Sequence, residues 1–321
     1  MRLGVWLVGT LLCTACGSSS SPAAPASTGP VLATTTTGHV TATNGGQPLP
    51  GLSVDLAGNG ATTTDGAGGF SYRTTGDSNA RLTLSGPGIL TRSLVLAIGP
   101  TRDVSIDAAA LTGGFDQAFY RELVRNGFEA PQDIEALRRW AGTPSIYLKT
   151  VDEAGGAIEA LSLDLIEATV KDAVPQWTSG KLGVPVVERG TGTREGQSGW
   201  ITIRFPAAAS TDSCGRAQIA ADGGWIELAY HVPVPASISC RAAGTVIARH
   251  VVRHEIGHAL GFWHTGSPND LMWGGTWANS ELTPSVRELT AAAVAYSRPL
   301  GNLDPDSDPA GAVKLTIKTA R

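Results

Sequence analysis

Three histidines and a glutamate lie close together in the segment His-Glu-Ile-Gly-His-Ala-Leu-Gly-Phe-Trp-His, residues 254–264. Residues four apart share one face of a helix, so His254 and His258 can offer neighbouring nitrogens to one metal ion. Glu255 then points to the side. From there its carboxylate can reach a water on the metal without being a ligand, as a general base requires.

Gly261 and His264 extend this pattern beyond the helix. Gly261 follows His258 by three residues, where a helix commonly ends in a left-handed residue that glycine adopts without steric cost. The chain can then turn back and bring His264 to the metal as a third ligand. Three protein ligands leave one tetrahedral position for water, as in a catalytic zinc site. His250 shares the helical stripe, but no supporting carboxylate spacing marks it, so we assign it to the core or to the surroundings of the ligands.

The pattern HExxHxxGxxH followed by a methionine resembles the metzincin zinc peptidases. Met272 lies in Asp-Leu-Met-Trp, eight residues after His264, which is similar to the matrixin branch. The resemblance implies one catalytic zinc ion, with Met272 as a hydrophobic floor beneath it and not as a ligand. No clear match to the structural zinc and calcium loops of matrixins is present, so a structural Ca²⁺ ion is not assigned.

The composition predicts one or two globular domains with a substantial core. The chain has 321 residues, of which 42% are hydrophobic and 16% charged, and its formal net charge is -4. A length and apolar content of this kind are typical of folded domains. Lysine and arginine runs interleaved with aromatic residues are absent, so nucleic acid is excluded as a partner. We expect a monomer.

The N-terminus predicts export. Residues 1–15 form a signal peptide, because their apolar run is too short to span a bilayer as a mature helix. Cys16, preceded by Thr-Ala and followed by glycine and serines, resembles the lipidation site of bacterial lipoproteins; plain secretion is the alternative. Residues 16–37 are almost entirely Ser, Thr, Ala, Pro and Gly and predict a disordered tether. We therefore expect a lipoprotein anchored through Cys16 to a membrane of the bacterial cell envelope, or a secreted protein.

Residues 38–108 alternate apolar and polar residues in short runs, such as Leu-Ser-Val-Asp-Leu at 52–56, separated by glycine-rich turns. This pattern predicts a small antiparallel β-sandwich. The runs at 38–40, 47–54 and 64–72 resemble the carboxypeptidase regulatory-like, transthyretin-like module. No catalytic constellation lies in this segment, so we expect a spacer, a stability element or a contact surface.

Residues 113–300 are predicted to form the domain that carries the histidines, and residues 301–321 a C-terminal tail. Its strand and helix order is similar to the upper subdomain of metzincins, a twisted mixed sheet with helices on one side, so we predict an α+β fold. The spacing of apolar residues predicts helices over 115–126, 133–140 and 158–177, and strands over 145–148, 184–187 and 200–205.

A hairpin is predicted beside the metal, with residues 217–220 as the antiparallel edge strand and 225–230 as the inner strand; a loop at 216–220 is the alternative. An open edge there would let an extended substrate pair its backbone with the enzyme. Cys214 and Cys240 bracket the hairpin in an exported chain, so we expect a disulfide. Metal ligation is the alternative, but neither cysteine has a partner at zinc spacing.

The residues after Met272 predict a helix over 284–296 with Thr283 as its cap. Two tryptophans are assigned to the core, with a substrate-pocket wall as the alternative; they are Trp273 and Trp277. The aspartates near the C-terminus predict a solvated acidic tail, with calcium ligation as the alternative; they are Asp304, Asp306 and Asp308.

The residues and the resemblance together predict a zinc-dependent endopeptidase that acts on protein or peptide substrates. The alternative is an exported lipoprotein that binds protein or cell-wall material through a peptidase fold, with little or no turnover. The presence of all three histidines and of Glu255 favours the enzyme.

Overall fold

Strands dominate the N-terminal part of the structure, a computed structural model that describes residues 33–75, 78–99, 102–207, 213–230, 240, 247–275 and 282–320. These strands are β1 (Ala33–Ala42), β2 (Ser53–Leu56), β3 (Gly60–Thr63), β4 (Gly69–Thr75), β5 (Ser78–Ser85), β6 (Arg92–Ile98) and β7 (Arg102–Ala108). They form one sheet in the order β4-β1-β7 and another in the order β3-β2-β5-β6.

These two sheets share one apolar core. Strand β6 shows the alternation that builds it, because Leu94, Leu96 and Ile98 point inward and every second residue points outward. Most strand pairs are antiparallel, as predicted, but β1 and β7 run parallel. The prediction of a fully antiparallel sandwich is therefore wrong, because β7 lies beside β1 and runs in the same direction.

The C-terminal part combines helices with a mixed sheet. Its elements are α1 (Gln117–Arg125), β8 (Ser145–Lys149), α2 (Ala160–Trp177), β9 (Val187–Gly190), β10 (Trp200–Arg204), β11 (Gly215–Ile219), β12 (Gly224–Leu228), α3 (Arg249–Ala259), α4 (Val286–Tyr296) and β13 (Lys318–Ala320). The strand order is β13-β11-β12-β10-β8-β9. The chain is therefore α+β, as predicted.

Strand direction changes on one side of this mixed sheet. The pairs β9-β8, β8-β10 and β10-β12 are parallel, whereas β11 is antiparallel to β12. The sequence predicts an antiparallel edge strand at 217–220, and β11 has that direction. The prediction that this edge is open is wrong, because β13 pairs with β11 along Ala217, Gln218 and Ile219.

Helix α2 supports helix α3, which carries two of the histidines. Trp177 at the end of α2 is fully buried, and its ring packs against Phe262 with centroids 5.0 Å apart. Its indole Nε1 donates to the carbonyl oxygen of Arg253 at 3.0 Å. Burial of a large apolar side chain contributes about 1.5–3 kcal/mol, so this contact fixes α3 firmly against α2.

Two predicted local features are wrong. Residues 133–140 do not form a helix; they extend, and Leu137 exchanges backbone hydrogen bonds with Gly301 and Asn302. The cap of α4 is Ser285 and not Thr283, because the Ser285 side chain accepts the helix's backbone N–H. Within the described residues, no helix has both the length and the apolar character needed to cross a membrane.

The aspartates near the C-terminus are ion-paired, so the predicted solvated acidic tail is wrong. Asp306 is 2% exposed and accepts from the Nε atom of Arg298 at 2.7 and 2.8 Å. Asp304 accepts from Arg121 at 2.8 and 2.7 Å. Burying a carboxylate costs free energy unless it is paired in this way. The prediction failed because the arginine partners are distant in sequence, so the alternating aspartates do not reveal them.

Asp107, at the end of β7, ties the sandwich to this cluster. Its carboxylate pairs with Arg298, which follows α4, and with Arg92 of the sandwich. Burial alone would raise the pKa of Asp107, but the guanidinium groups of Arg298 and Arg92 hold it well below its usual value. The carboxylate is therefore charged throughout the neutral range and joins the two parts of the chain electrostatically.

Asp107→Asn is expected to lower the free energy of unfolding by about 1.5–3 kcal/mol at pH 7, because it removes a charged partner of Arg92 and Arg298 and leaves them only Asp308 and Asp306. The pKa of Asp107 is lower in the folded state than in the unfolded state. The stability that its carboxylate contributes to the fold is therefore complete above the unfolded-state pKa of about 4, and it is lost as the pH falls through the folded-state pKa. Urea unfolding measures the difference, which should shrink below about pH 4. Asp103→Asn, exposed on the same strand, is the control; equal losses in both variants would contradict the assignment.

Candidate metal centre

Helix α3 and the turn after it bring the three histidines together. His254 and His258 lie one helical turn apart, and their Nε2 atoms are 3.0 Å from each other. Gly261 has a φ of 108°, and a Cβ atom there would collide with the carbonyl oxygen of Arg138. Only glycine suits both requirements. The chain reverses at this residue and places the Nε2 atom of His264 3.1 Å from that of His258.

The other ring nitrogen of each histidine is hydrogen-bonded. The Nδ1 atom of His254 lies 2.7 Å from the carbonyl oxygen of Leu271, and that of His258 lies 2.8 Å from the carbonyl oxygen of Phe262. A carbonyl oxygen only accepts, so both Nδ1 atoms carry hydrogen and both Nε2 atoms have a free lone pair. The Nε2 lone pairs are the ones that point into the cluster.

Burial keeps the imidazoles of His254 and His258 neutral. Desolvation, followed by the charge of His264, lowers the pKa of His254 to about 3. The pKa of His258 is lowered well below its usual value, again first by burial and then by the neighbouring histidines. A metal needs neutral imidazole ligands, so the environment favours the form that binds.

The cluster fits a zinc ion. Ligand atoms about 2.0–2.1 Å from a tetrahedral zinc lie about 3.3 Å from one another, close to the Nε2 separations of 3.0 and 3.1 Å. All three histidines are buried. Among the residues that the structure describes, no other His, Cys, Asp or Glu joins this group. Three histidines without a fourth side-chain ligand are the donor set of a catalytic site.

Glu255 lies beside the histidines and is not part of their cluster. It is 4% exposed, and its Oε2 atom has no hydrogen-bond partner among the described residues. Burial, followed by the negative charge of Glu227, raises its pKa to about 8, while Arg216 opposes the shift. A Cβ atom on Gly215 would lie 2.6 Å from the Oε1 atom of Glu255. Strand β11 therefore passes directly beside the carboxylate.

Met272 packs against helix α3. It is fully buried, and a Cβ atom on Gly257 would come within 2.5 Å of its Sδ atom. Glu288 of α4 holds this turn, because it accepts the backbone N–H of Met272 at 2.8 Å and of Leu271 at 3.1 Å. Glu288 was not singled out from the sequence. Its signal was the Ser-x-x-Glu capping motif that begins at Ser285.

Glu129 was also missed. Its Oε1 atom lies 2.6 Å from the Nδ1 atom of His264, so the third histidine is oriented by a carboxylate and not by a backbone carbonyl. Glu129 follows α1 and precedes His264 by 135 positions. No local motif marks it, and only the fold brings the two residues together.

The remaining predicted residues are two cysteines, one histidine and two positions that the structure does not describe. Cys214 and Cys240 form a disulfide with an S–S distance of 2.01 Å, immediately before β11. His250 is buried and stands outside the three-histidine cluster, as expected for a core residue. Cys16 and Trp277 lie outside the described residues.

Glu129→Ala is expected to weaken zinc binding about 10–100-fold, the usual effect of removing the carboxylate behind a histidine ligand. The Glu129 side chain is 40% exposed, so its loss should leave the fold intact. Glu129→Gln retains an acceptor oxygen and should lose less. Competition with a chromophoric chelator measures the affinity. The exposed Asp133→Ala is the control, and the same affinity in it and in Glu129→Ala would exclude the orienting role.

Comparison with known proteins adds no family assignment. No family model and no curated protein matches this chain. Two mutants of a type II cohesin-X-dockerin complex from Acetivibrio cellulolyticus are similar to 24% and 23% of it, at 20% and 21% identity and TM-scores of 0.21 and 0.18; the chain spans 58% and 51% of those structures. Metalloproteinase-II from Bacteroides fragilis is similar over 80% of this chain and 84% of its own length, at 13% identity and a TM-score of 0.31. Similarities at such TM-scores support no functional inference.

Proposed function

We propose that this chain is a zinc-dependent endopeptidase of the metzincin type, in which Glu255 is the general base. The observation that carries the proposal is the convergence of three Nε2 atoms beside a buried carboxylate oxygen that has no hydrogen-bond partner in the described part of the chain. His254, His258 and His264 would hold the metal. A structural zinc site has no use for an adjacent carboxylate that is not a ligand, whereas hydrolysis requires one.

The bound zinc would polarise the scissile carbonyl and make a water more acidic. Glu255 accepts the proton of that water as its oxygen bonds to the carbonyl carbon. The same carboxyl then delivers the proton to the leaving nitrogen as the C–N bond breaks. A cation held by the histidines favours the charged form of Glu255, which is the form that accepts the proton.

Strand β11 supplies a place for the substrate chain. Gly215 touches the Glu255 carboxylate, so a peptide paired with this strand would pass beside the base. Backbone pairing recognises extended peptides regardless of sequence, which suits a protein substrate. The cleavage preference would come from side-chain pockets on either side of this strand.

We also propose that the protein is exported and that Cys16 is its lipid anchor. The disulfide between Cys214 and Cys240 supports an oxidising compartment. The lipoprotein-type sequence around Cys16 supports attachment to a membrane of the cell envelope. The enzyme would then act on proteins at or near that membrane.

Glu255→Gln is expected to lower kcat at least about a hundredfold on a denatured protein substrate, because a positioned acid-base group contributes about 10²–10⁴-fold. The variant should retain about one zinc per chain, since Glu255 has no assigned bond to the metal. His258→Ala is the matched comparison on the same helix and should lose both zinc and activity. Metal analysis and a peptidase assay with and without chelator measure both properties.

Each unexpected outcome of these assays would contradict a different part of the proposal. Loss of zinc from Glu255→Gln would make that residue a ligand or a support of the site. Full activity of Glu255→Gln with zinc bound would mean that another group acts as the general base. A wild-type chain that binds zinc and cleaves no protein would favour the alternative, a binding protein without turnover.

Cys16→Ser is expected to move the protein from the membrane fraction to the soluble fraction, because several acyl chains anchor a protein stably whereas a single chain does not. Fractionation followed by immunodetection measures this. Cys13→Ser, within the predicted signal peptide, is the control and should leave the protein in the membrane fraction. A native protein that is soluble and begins elsewhere than Cys16 would refute the anchor.

A further inference from the structure

We propose that strand β13 occupies the edge with which an extended substrate pairs, so that the C-terminal segment inhibits the chain's own active site. The inference rests on the proposed function and concerns the regulation of that site. The edge of β11 that the sequence predicts to be open is covered by β13.

The direction and register of β13 are those of a competing peptide. It runs antiparallel to β11, with Lys318 opposite Ile219 and Ala320 opposite Ala217. Each step along β13 thus leads one residue closer to Gly215 on the partner strand. Gly215 is the residue in contact with the Glu255 carboxylate. The C-terminal segment is therefore aligned with the path towards the base.

Only one side of β11 can receive a substrate strand. The other side is paired with β12, where Ala217 lies opposite Ile226 in the interior of the sheet. A substrate and β13 would need the same N–H and C=O groups of β11, and each group pairs with one strand at a time. Along Ala217, Gln218 and Ile219 the two therefore exclude each other.

The ion pair that the structure describes for β13 lies near the surface, as a displaceable strand requires. Lys318 forms an ion pair with Glu135 at 3.0 Å, and its side chain is 45% exposed. Exposed ion pairs contribute about 0–1 kcal/mol. Ile317 is 62% exposed. A cleft of about 470 Å³ adjoins the pairing, lined on one side by Gln218 and Ile219 and on the other by Val313 and Ile317.

Residues 313–316, which precede β13, stay attached to the rest of the fold when β13 separates from β11. Arg138 donates to the carbonyl oxygen of Thr316, and Val313 packs against Gly301. Opening of β13 alone therefore leaves the strand tethered next to its site. A tethered competitor acts at a high effective concentration, so weak pairing is sufficient to compete with a free substrate.

The kinetic signature is a change in KM without a change in kcat. If β13 is paired about ten times more often than it is open, a substrate that binds only the open form has its KM raised about tenfold. Once bound, the substrate meets the same histidines and the same Glu255, so kcat is unaffected. A strand that merely protects a sheet edge from aggregation would leave KM unchanged.

The test uses two double variants of the full chain. Lys318→Pro with Thr319→Pro removes the backbone hydrogen of whichever residue donates to β11, because N–H groups of successive strand residues point to opposite sides. Lys318→Ala with Thr319→Ala removes the same side chains and leaves the backbone able to pair. The proline variant should show a KM several-fold lower than that of the alanine variant, with equal kcat and equal zinc content.

A second measurement requires no turnover. Amide hydrogen exchange at Ala217 and Ile219, whose N–H groups face β13, should be faster in the proline variant and should slow again when a synthetic peptide of residues 313–320 is added. The same peptide should inhibit the proline variant competitively. Equal KM values in the proline and alanine variants, or no inhibition by the peptide, would overturn the inference. Absence of cleavage in every variant, with exchange behaving as expected, would instead overturn the proposed function.

Discussion

Three buried imidazoles direct one nitrogen each at a common point, and much of the C-terminal fold serves this constraint. Each Nδ1 atom is held by a different part of the chain. Phe262, four residues after His258, supplies one carbonyl, and Leu271, after the chain has reversed, supplies another. Glu129 reaches His264 from the segment after α1. The geometry of the cluster therefore depends on tertiary contacts as well as on α3.

The loop beneath the cluster is held by charge. Asp270 is fully buried, accepts from Thr265 at 3.0 Å and pairs with Arg287 of α4. Glu288, one residue further along α4, accepts the backbone N–H of Met272. Two carboxylates thus bind the loop to the start of one helix. Any movement of α4 would be transmitted to Met272 and to the carbonyl that orients His254.

The end of α4 leads to the sandwich. Arg298 follows that helix, is fully buried, and pairs with Asp306 nearby and with Asp107 of β7. The N-terminal sheets are therefore linked through one arginine to the helix that holds the backbone of Leu271 and Met272. Buried charges cost more free energy to leave unpaired than exposed ones, so this link is retained over the whole pH range in which Asp107 is ionised.

Local spacing made the centre of the site predictable, and distance along the chain hid the rest. His254 and His258 are four apart, and Gly261 ends their helix, so periodicity and the demand for a left-handed residue were enough to place them. Glu129 has no periodic relation to His264. The aspartates at 304–308 suggested a solvated tail because their arginine partners are far away in sequence. Strand pairing of residues 318–320 likewise left no signal, since a short exposed strand has neither an apolar face nor a turn to mark it.

Strand β11 must satisfy two opposite demands. Its outer edge has to be available if a peptide is to reach Glu255, yet an uncovered edge strand invites pairing with any other chain. A permanently paired strand would meet only the second demand, and a bare edge only the first. A short strand held by a weak ion pair meets both demands. It covers the edge of β11, and a well-bound peptide can displace it because its pairing contributes little free energy. Under the proposed function, the weakness of β13 thus reconciles an available edge beside the buried Glu255 carboxylate with a stable fold.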